Sequence, residues 1–495
     1  MYRHFFKIII VFIIFICLAS CGTSAKVQAK NTDGPGRIIL AQNRDLASQL
    51  TMPNTIYEIR HNFILRKDIT IPEGCCLEFN GGCISGAYTI TGNNTVIKAG
   101  IFKIFNTNVI LSGTWKITEA YPEWFGAKGD GYSDDTYSIN KCLEYFPKTV
   151  LCGSNYYVNT PDKNRVLLTL PSEHSLYGAN INAGYNLISI KTGTANYTSV
   201  LQVGQRCTIE NIRIIGNTED LSNRSINPKS TGISTIGDET LSSLRLIRVF
   251  VRHCEIGFDL QCYMSVLDQC DAFQCFIGFY LHGKMSNGSL VSETTSLSMK
   301  CCFAHNTTYN GYKLIGVTYS VLEALGADYC GYIGSEIITT QEQVIKDIHH
   351  AYYFERCSNI VCNSLGSEIC YKFIRASYSQ NLMFNACFMN LGYGNGKIRN
   401  IYAAPKNVIQ MDYAVGCSFE SCKIRALQPS IYLPETSVCD IVNDDNIKII
   451  YVTSVPTGKS TDVVFRNCGT NPSREDIFVP DKIAMNSPRI AYRVE

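Results

Sequence analysis

Short apolar runs return about every twenty residues along most of this chain, and that period limits the folds open to it more than any other feature. Between 63 and 115 such runs occupy 69–71, 77–79, 88–90, 96–97, 101–104 and 109–111, with Gly and Asn turns between them. Ile71 stands 19 positions before Ile90, and Ile90 stands 21 before Leu111. Three brief strands per twenty residues is what one coil of a parallel β-solenoid needs, so the expected class is all-β.

The period returns further along. Gly257-Phe258, Gly278-Phe279, Gly311-Tyr312 and Gly331-Tyr332 are spaced by 21, 33 and 20, and the long middle interval implies an insertion near 284–296. A second track is a quartet that starts apolar and ends in Cys or a small or apolar substitute, at 209–212, 267–270, 299–302, 322–325, 361–364, 384–387, 419–422 and 465–468. Alternation along a strand points the first and last residues of each quartet inward across a turn and the second outward. The chain holds 23 Cys in 495 residues, and most read as a ladder of buried thiols, Cys being small and apolar. Disulfides between neighbouring coils, for instance near Cys301 and Cys302, are the alternative in an oxidising compartment. No Cys/His spacing suggests zinc. Lys+Arg 44 against Asp+Glu 42 gives a net charge of +2, which offers no footprint for nucleic acid. Hydrophobic residues at 45% exclude a disordered chain.

At the N-terminus Arg3, His4 and Lys7 precede an apolar run at 8–19, then Ser20 and Cys21. This reads as a secretory signal, since the run is too short to span a bilayer. Leu18-Ala19-Ser20-Cys21 resembles the lipobox of bacterial lipoproteins. That implies lipidation at Cys21, membrane contact through this anchor only, and an outer-membrane lipoprotein of the cell envelope on its periplasmic or surface side. Ordinary signal cleavage with a leftover Cys is the alternative. The expected division is a signal peptide at 1–21, a tether at 22–54, a solenoid lead-in at 55–120, the main solenoid at 121–480 and a tail at 481–495.

Tyr121-Pro122-Glu123-Trp124-Phe125-Gly126-Ala127-Lys128-Gly129-Asp130-Gly131-Tyr132-Ser133-Asp134-Asp135-Thr136, followed by Ile139, resembles the entry motif of the pectate-lyase superfamily. The branch is the rhamnogalacturonase/epimerase type shared with phage tailspikes, and the repeats extend the resemblance over about 65–475. The segment 71–124 is similar to lead-in regions of Bacteroides lipoproteins of this type. The resemblance implies a single-stranded right-handed parallel β-helix that binds or cuts acidic polysaccharide, as a monomer or a homotrimer. Taken residue by residue, the motif is a structural cap. Gly126, Gly129 and Gly131 supply tight turns, and Asp134 is a natural N-cap for a short helix near 135–146 that plugs the open end of the solenoid. Calcium held by Asp130, Asp134 and Asp135 is the sharper alternative, although the loop lacks a run of alternating oxygen ligands. No other cofactor is implied.

The superfamily's polygalacturonases carry Asn-Thr-Asp, Asp-Asp, Gly-His-Gly and Arg-any-Lys on successive coils. Here Asn31-Thr32-Asp33, Asp444-Asp445 and His282-Gly283 do not follow that order, so no catalytic residue carries over. Register supplies other candidates. Asp268, Lys300 and Glu323, second residues of their quartets, should stack outward at roughly 4.8 Å per coil, with Arg248 one coil before. Asp268 and Glu323 would then stand roughly 9–10 Å apart, near the upper limit for an inverting acid/base pair. Lys300 could hold a uronate carboxylate, and either Arg248 or Lys300 could be the base of a lyase. A ladder of alternating charges that merely relieves like-charge contacts is the structural alternative. His253, His282, His305, His349 and His350 read as turn or surface residues. Outward tyrosines such as Tyr280 and Tyr319 serve either sugar stacking or plain β-propensity. The insertion between Gly283 and Leu297 would wall a groove. The expected function is a polysaccharide hydrolase or lyase, with a non-catalytic glycan-binding adhesin or a phage-derived structural protein as alternatives.

Overall fold

The computed structural model describes residues 36–426 apart from 180–186, 218–229, 237–240, 288, 332–349, 369, 371, 392–406 and 413, and beyond them the strands 448–454, 462–466, 469–471, 477–478 and 491–494. The chain is a right-handed parallel β-helix. Among the described residues its coils stack into one sheet of 25 strands and a second of 11, with a separate 6-stranded sheet in the lead-in.

Each coil turns on single residues in the left-handed region. Asn211, Arg248, Gln269, Cys301, Ala324, Ser364, Ala386 and Ser421, with φ between 51° and 60°, form one column of corners. Five residues later His253, Gln274, Asn306 and Tyr329 form another. A side chain there costs roughly 1–2 kcal/mol. The corner survives because its N–H stays in the inter-coil ladder: Gln269 donates to the Lys300 carbonyl at 2.9 Å, and Cys301 to Glu323 at 3.0 Å.

The residue after each corner points inward. Cys270, Cys302, Cys387 and Cys422 follow the first column, Cys254, Cys275 and Cys330 the second, and all are buried. Their thiols lie near the carbonyl two residues back, at 3.6 Å for Cys270, 3.4 Å for Cys302 and 3.5 Å for Cys330. Ser265 and Ser320 make the same contact with hydroxyls at 3.0 and 2.7 Å. Cys therefore suits the position as a small apolar residue with a weak donor. The described cysteines are free thiols, with Cys301 at an exposed corner and Cys302 turned into the core. Burial pushes the Cys262 thiol up to about 11 and Cys275 to about 12, so these are packing groups rather than nucleophiles.

Across the core, Phe258, Phe279, Tyr312 and Tyr352 stack at 4.6, 4.9 and 5.0 Å between ring centres. The fourth member is Tyr352 rather than Tyr332, because the stretch 332–349 intervenes before the next strand of this sheet. The glycines of this track sit where the sheets approach closely. A Cβ on Gly278 would lie 2.6 Å from the Gly311 carbonyl oxygen and 3.1 Å from the Ala304 methyl.

Two boundaries move. Arg37–Ile39, expected in the tether, pairs in parallel with Ile56–Ile59, and Leu40 and Leu46 are buried in the lead-in core. Ala491–Val494, expected in the tail, pairs with Asp462–Arg466. Both strands are too short to declare a period. The signal, Cys21 and Asn31-Thr32-Asp33 lie outside the described residues. In the lead-in, Glu58 and Glu78 stand in register on adjacent coils, and Arg37 bridges them. Arg60 and Asn80 hold the Glu58 carboxyl down at about 2, and Lys98, at 2.6 Å, holds Glu78 below the ordinary range.

The helix Thr136–Tyr145 seals the mouth of the main stack with Ile139 and Leu143, while Cys142 and Phe146 join the lead-in core. Its N-cap position is Asp135, not Asp134. The Asp135 carboxylate turns away from the helix to accept the Lys128 and Gly129 N–H groups at 2.7 and 3.0 Å. Asp134 instead accepts the Thr136 N–H at 3.0 Å and ties the loop to Asn159 and Thr160. Asp130 accepts the Tyr132 and Ser133 N–H groups at 2.9 and 2.8 Å. Asp130 and Asp135 thus accept from the turns at 128–133, and Asp134 ties the loop to the following coil.

Gly278→Ala should cost about 1–3 kcal/mol through the clash with the Gly311 carbonyl. Gly366→Ala, where only the Leu325 carbonyl comes within 3.8 Å, should cost less than about 0.5 kcal/mol. Equal losses in urea unfolding would refute close packing as the reason for the glycine track.

Candidate active site on the long sheet

The stacked trio forms in part as expected. Asp268, Lys300 and Glu323 are register partners on Val266–Asp268, Ser298–Lys300 and Val317–Glu323. Asp268 is half-buried, whereas Lys300 and Glu323 are exposed. Arg248 does not join them: Ile247 pairs with Asp268, and Arg248 is the left-handed corner that follows. Further along, Asn363 pairs with Glu323 while Cys362 is buried, so the expected quartet at 361–364 is displaced by one residue. A one-residue slip exchanges inside and outside.

Beyond the corner the same coils carry a second outward column that the sequence reading did not assemble. Phe273, His305, Asp328 and Glu368 are successive register partners. Beside them run Asp271, Phe303, Gly326, Gly366 and Phe388. The signal was available. Each quartet is followed by outward–small–outward, as in Asp271-Ala272-Phe273, Phe303-Ala304-His305, Gly326-Ala327-Asp328 and Gly366-Ser367-Glu368. Reading three residues past the quartet would have found the column.

His305 is held in place rather than loose on the surface. Its Nε2 meets Asp271 Oδ1 at 3.0 Å, and its ring packs on Phe273 at 4.7 Å and edge-on to Phe303 at 5.1 Å. One coil on, Asp328 is half-buried and Glu368 is exposed. Burial and then the adjacent Glu368 charge push the Asp328 carboxyl above its ordinary value, with His305 partly opposing. Next to this pair the backbone is bare. The Phe303 ring lies over Gly326, whereas no side chain comes within 4 Å of the Cβ position of Gly366, so the backbone between Phe303 and Phe388 is left less covered alongside the two carboxyls. A hydrophobic wall, a less covered floor and two carboxyls in different environments can seat a pyranose ring and separate a proton donor from an anion. Among the described residues no three His, Cys, Asp or Glu side chains gather as a metal cluster.

No known family profile and no curated protein matches the chain. Several solved structures align with it at low identity. The enzymatically active domain of tailspike protein 2 from bacteriophage CBA120 aligns at 13% identity and TM-score 0.47, over 70% of this chain and 47% of that one. The A-module of an Azotobacter vinelandii mannuronan C-5 epimerase aligns at 13% and 0.42, over 70% and 94%. A lacto-N-biosidase from Eubacterium ramulus aligns at 11% and 0.47, over 76% and 66%. The chain thus spans about half the length of the tailspike domain. The likeness is one of fold, and the chemistry rests on this chain's own residues.

If Glu368 contributes to the raised Asp328 value, then Glu368→Gln should bring the Asp328 titration down toward an ordinary aspartate, read by carboxyl carbon NMR. An unchanged titration would leave burial as the whole cause.

Proposed function

We propose that this protein binds polysaccharide along the outer face of its long sheet and hydrolyses it with Asp328 and Glu368. The observation that carries the proposal is the half-buried, upward-shifted Asp328 carboxyl stacked on the exposed Glu368 beside the less covered backbone at Gly366. Asp328 enters protonated and donates its proton to the glycosidic oxygen as the bond breaks. Glu368 attacks the anomeric carbon and forms a glycosyl ester. Asp328, now a carboxylate, deprotonates the water that releases the sugar. Adjacent coils place the two groups roughly 4.8 Å apart, close to the spacing of a retaining pair and short of the roughly 6.5–9.5 Å of an inverting one. His305, fixed by Asp271 and one coil before Asp328, limits how far that carboxyl's value rises.

The Asp268–Lys300–Glu323 column lies across the corner, and we assign it contact with the glycan rather than proton transfer. Its outer carboxylates are two coils apart, and the Lys300 ammonium between them offers the glycan hydrogen-bond donors. The two pairs predict opposite stereochemistry. The protein should be incubated with acidic and neutral polysaccharides, with and without calcium, and the first-formed anomer read by proton NMR. Retention, lost in Asp328→Asn and Glu368→Gln proteins that still melt normally, is the expected result. Inversion abolished by Asp268→Asn would transfer the chemistry to the other column. Unsaturated-uronate absorbance would make the protein a lyase with Lys300 as the base to test, and binding without cleavage would make it an adhesin.

We further propose that the protein works at the cell envelope, anchored by a lipid on Cys21 after signal removal. The motif 18–21 supports this. Cys21→Ala should move the protein from the membrane to the soluble fraction; a wild-type protein already soluble after export would contradict the anchor.

A further inference from the structure

The second sheet carries its own row of functional groups. Asp259, Tyr280, Lys313, Tyr353 and Arg375 are successive register partners on its outer face. His282 and Glu355 lie two residues along, in a neighbouring column with Ile315 between them. All of these are partly buried.

Both carboxylates here are already engaged. Asp259 Oδ1 meets His282 Nε2 at 2.9 Å, and Glu355 Oε2 accepts the Tyr353 hydroxyl at 3.0 Å. The other His282 nitrogen, Nδ1, faces the Gly283 carbonyl at 3.0 Å. An imidazole with an acceptor at each nitrogen satisfies both only as the imidazolium. Burial opposes that charge, but Asp259 and the Gly283 carbonyl outweigh it and hold the His282 value up. Asp259 is therefore balanced by His282.

Lys313 makes no such direct contact with its nearest carboxylate, Glu355, whose charge acts on it through space. Its ammonium lies 5.1 Å above the Tyr280 ring, and among the described residues it makes no hydrogen bond or ion pair. Burial pulls its value down while Glu355 acts the other way. The Tyr280 ring under the ammonium is itself stacked with the His282 ring at 4.5 Å. The insertion stands next to this place. Directly after Gly283, Lys284–Ser286 and Ser289–Ser292 form an antiparallel hairpin, and Leu290 rests on Gly316, one residue beyond the Lys313 strand. The expected wall is thus built, and it stands beside the second sheet.

We infer that Lys313 is a binding site for a single monoanionic group, a carboxylate or a sulfate ester, on a sheet separate from the carboxyl column. A monoanion supplies the direct hydrogen-bonded partner that the ammonium lacks without displacing Asp259 or Glu355, and the half-buried setting strengthens the contact relative to a fully solvated lysine. The Tyr280 ring under the ammonium already restricts it, so less side-chain freedom is lost on binding. The inference does not depend on hydrolysis by Asp328.

The test uses the whole exported chain with its lysines dimethylated with carbon-13, which keeps their charge. Lys313→Met identifies the signal, and thermal melting confirms that this variant folds. Sodium glucuronate and sodium methyl sulfate, the latter standing for a monoanionic sulfate ester, are titrated at pH 7, with sodium chloride as the reference salt. The expected result is a saturable shift of the Lys313 signal, weakened at least about threefold in His282→Gln and unchanged in Asp328→Asn. Saturation by glucuronate alone assigns a uronate ligand; saturation by methyl sulfate alone assigns a sulfated one; saturation by both assigns the shared monoanion chemistry. A drift no larger than that produced by chloride overturns the site, whatever the outcome of the hydrolysis assay.

Discussion

The architecture depends on bending a strand without taking its backbone out of register with the coils on either side. A single left-handed residue does this, because its N–H still reaches the next coil while the strand direction changes. The corner column at Arg248, Gln269, Cys301 and Ala324 shows that the backbone, not residue type, is what repeats. Each position relative to the corner becomes a column through the whole solenoid. One step after the corner is a buried thiol or aliphatic group, and two steps after it is an outward side chain. Function on such a scaffold is therefore written in columns, and a column is legible only if the corner is placed to the residue.

That requirement separates what the sequence made plain from what it hid. The period, the parallel coils, the buried cysteines and the stacking of Asp268, Lys300 and Glu323 all follow from apolar spacing, which tolerates small errors. Arg248 failed because the corner residue also faces outward, so its charge resembled a sheet position one place earlier. The quartet at 361–364 slipped because both Val361 and Cys362 suit its inward first position. Gly331-Tyr332 stands at the spacing of a further coil, whereas the strand that pairs with Tyr312 begins at Tyr352. His305, Asp328 and Glu368 lie three positions past the apolar pair that marks the repeat, at a constant offset that shows only once the corner is placed to the residue. The first lead-in strand, Arg37–Ile39, is simply too short to show a period.

Adjacent-coil carboxylates occur twice in this molecule, and the contrast between the pairs is what distinguishes scaffold from chemistry. Parallel coils put register partners roughly 4.8 Å apart, so two stacked carboxylates repel unless something intervenes. At Glu58 and Glu78 the chain supplies Arg37 across the pair, with Arg60 and Lys98 at its flanks, and both carboxyls are held ionised. That cluster is a clamp. At Asp328 and Glu368 no arginine or lysine is recorded across the pair among the described residues, and the only nearby base, His305, is engaged by Asp271. Burial and the neighbouring Glu368 charge instead push the Asp328 carboxyl above its ordinary value, so taking up a proton there relieves the repulsion more readily than at a solvated aspartate. A lattice that can neutralise stacked carboxylates in its first coils, yet leaves these two uncompensated beside a bare Gly366 floor, has the makings of a proton-transfer site rather than of another structural bridge.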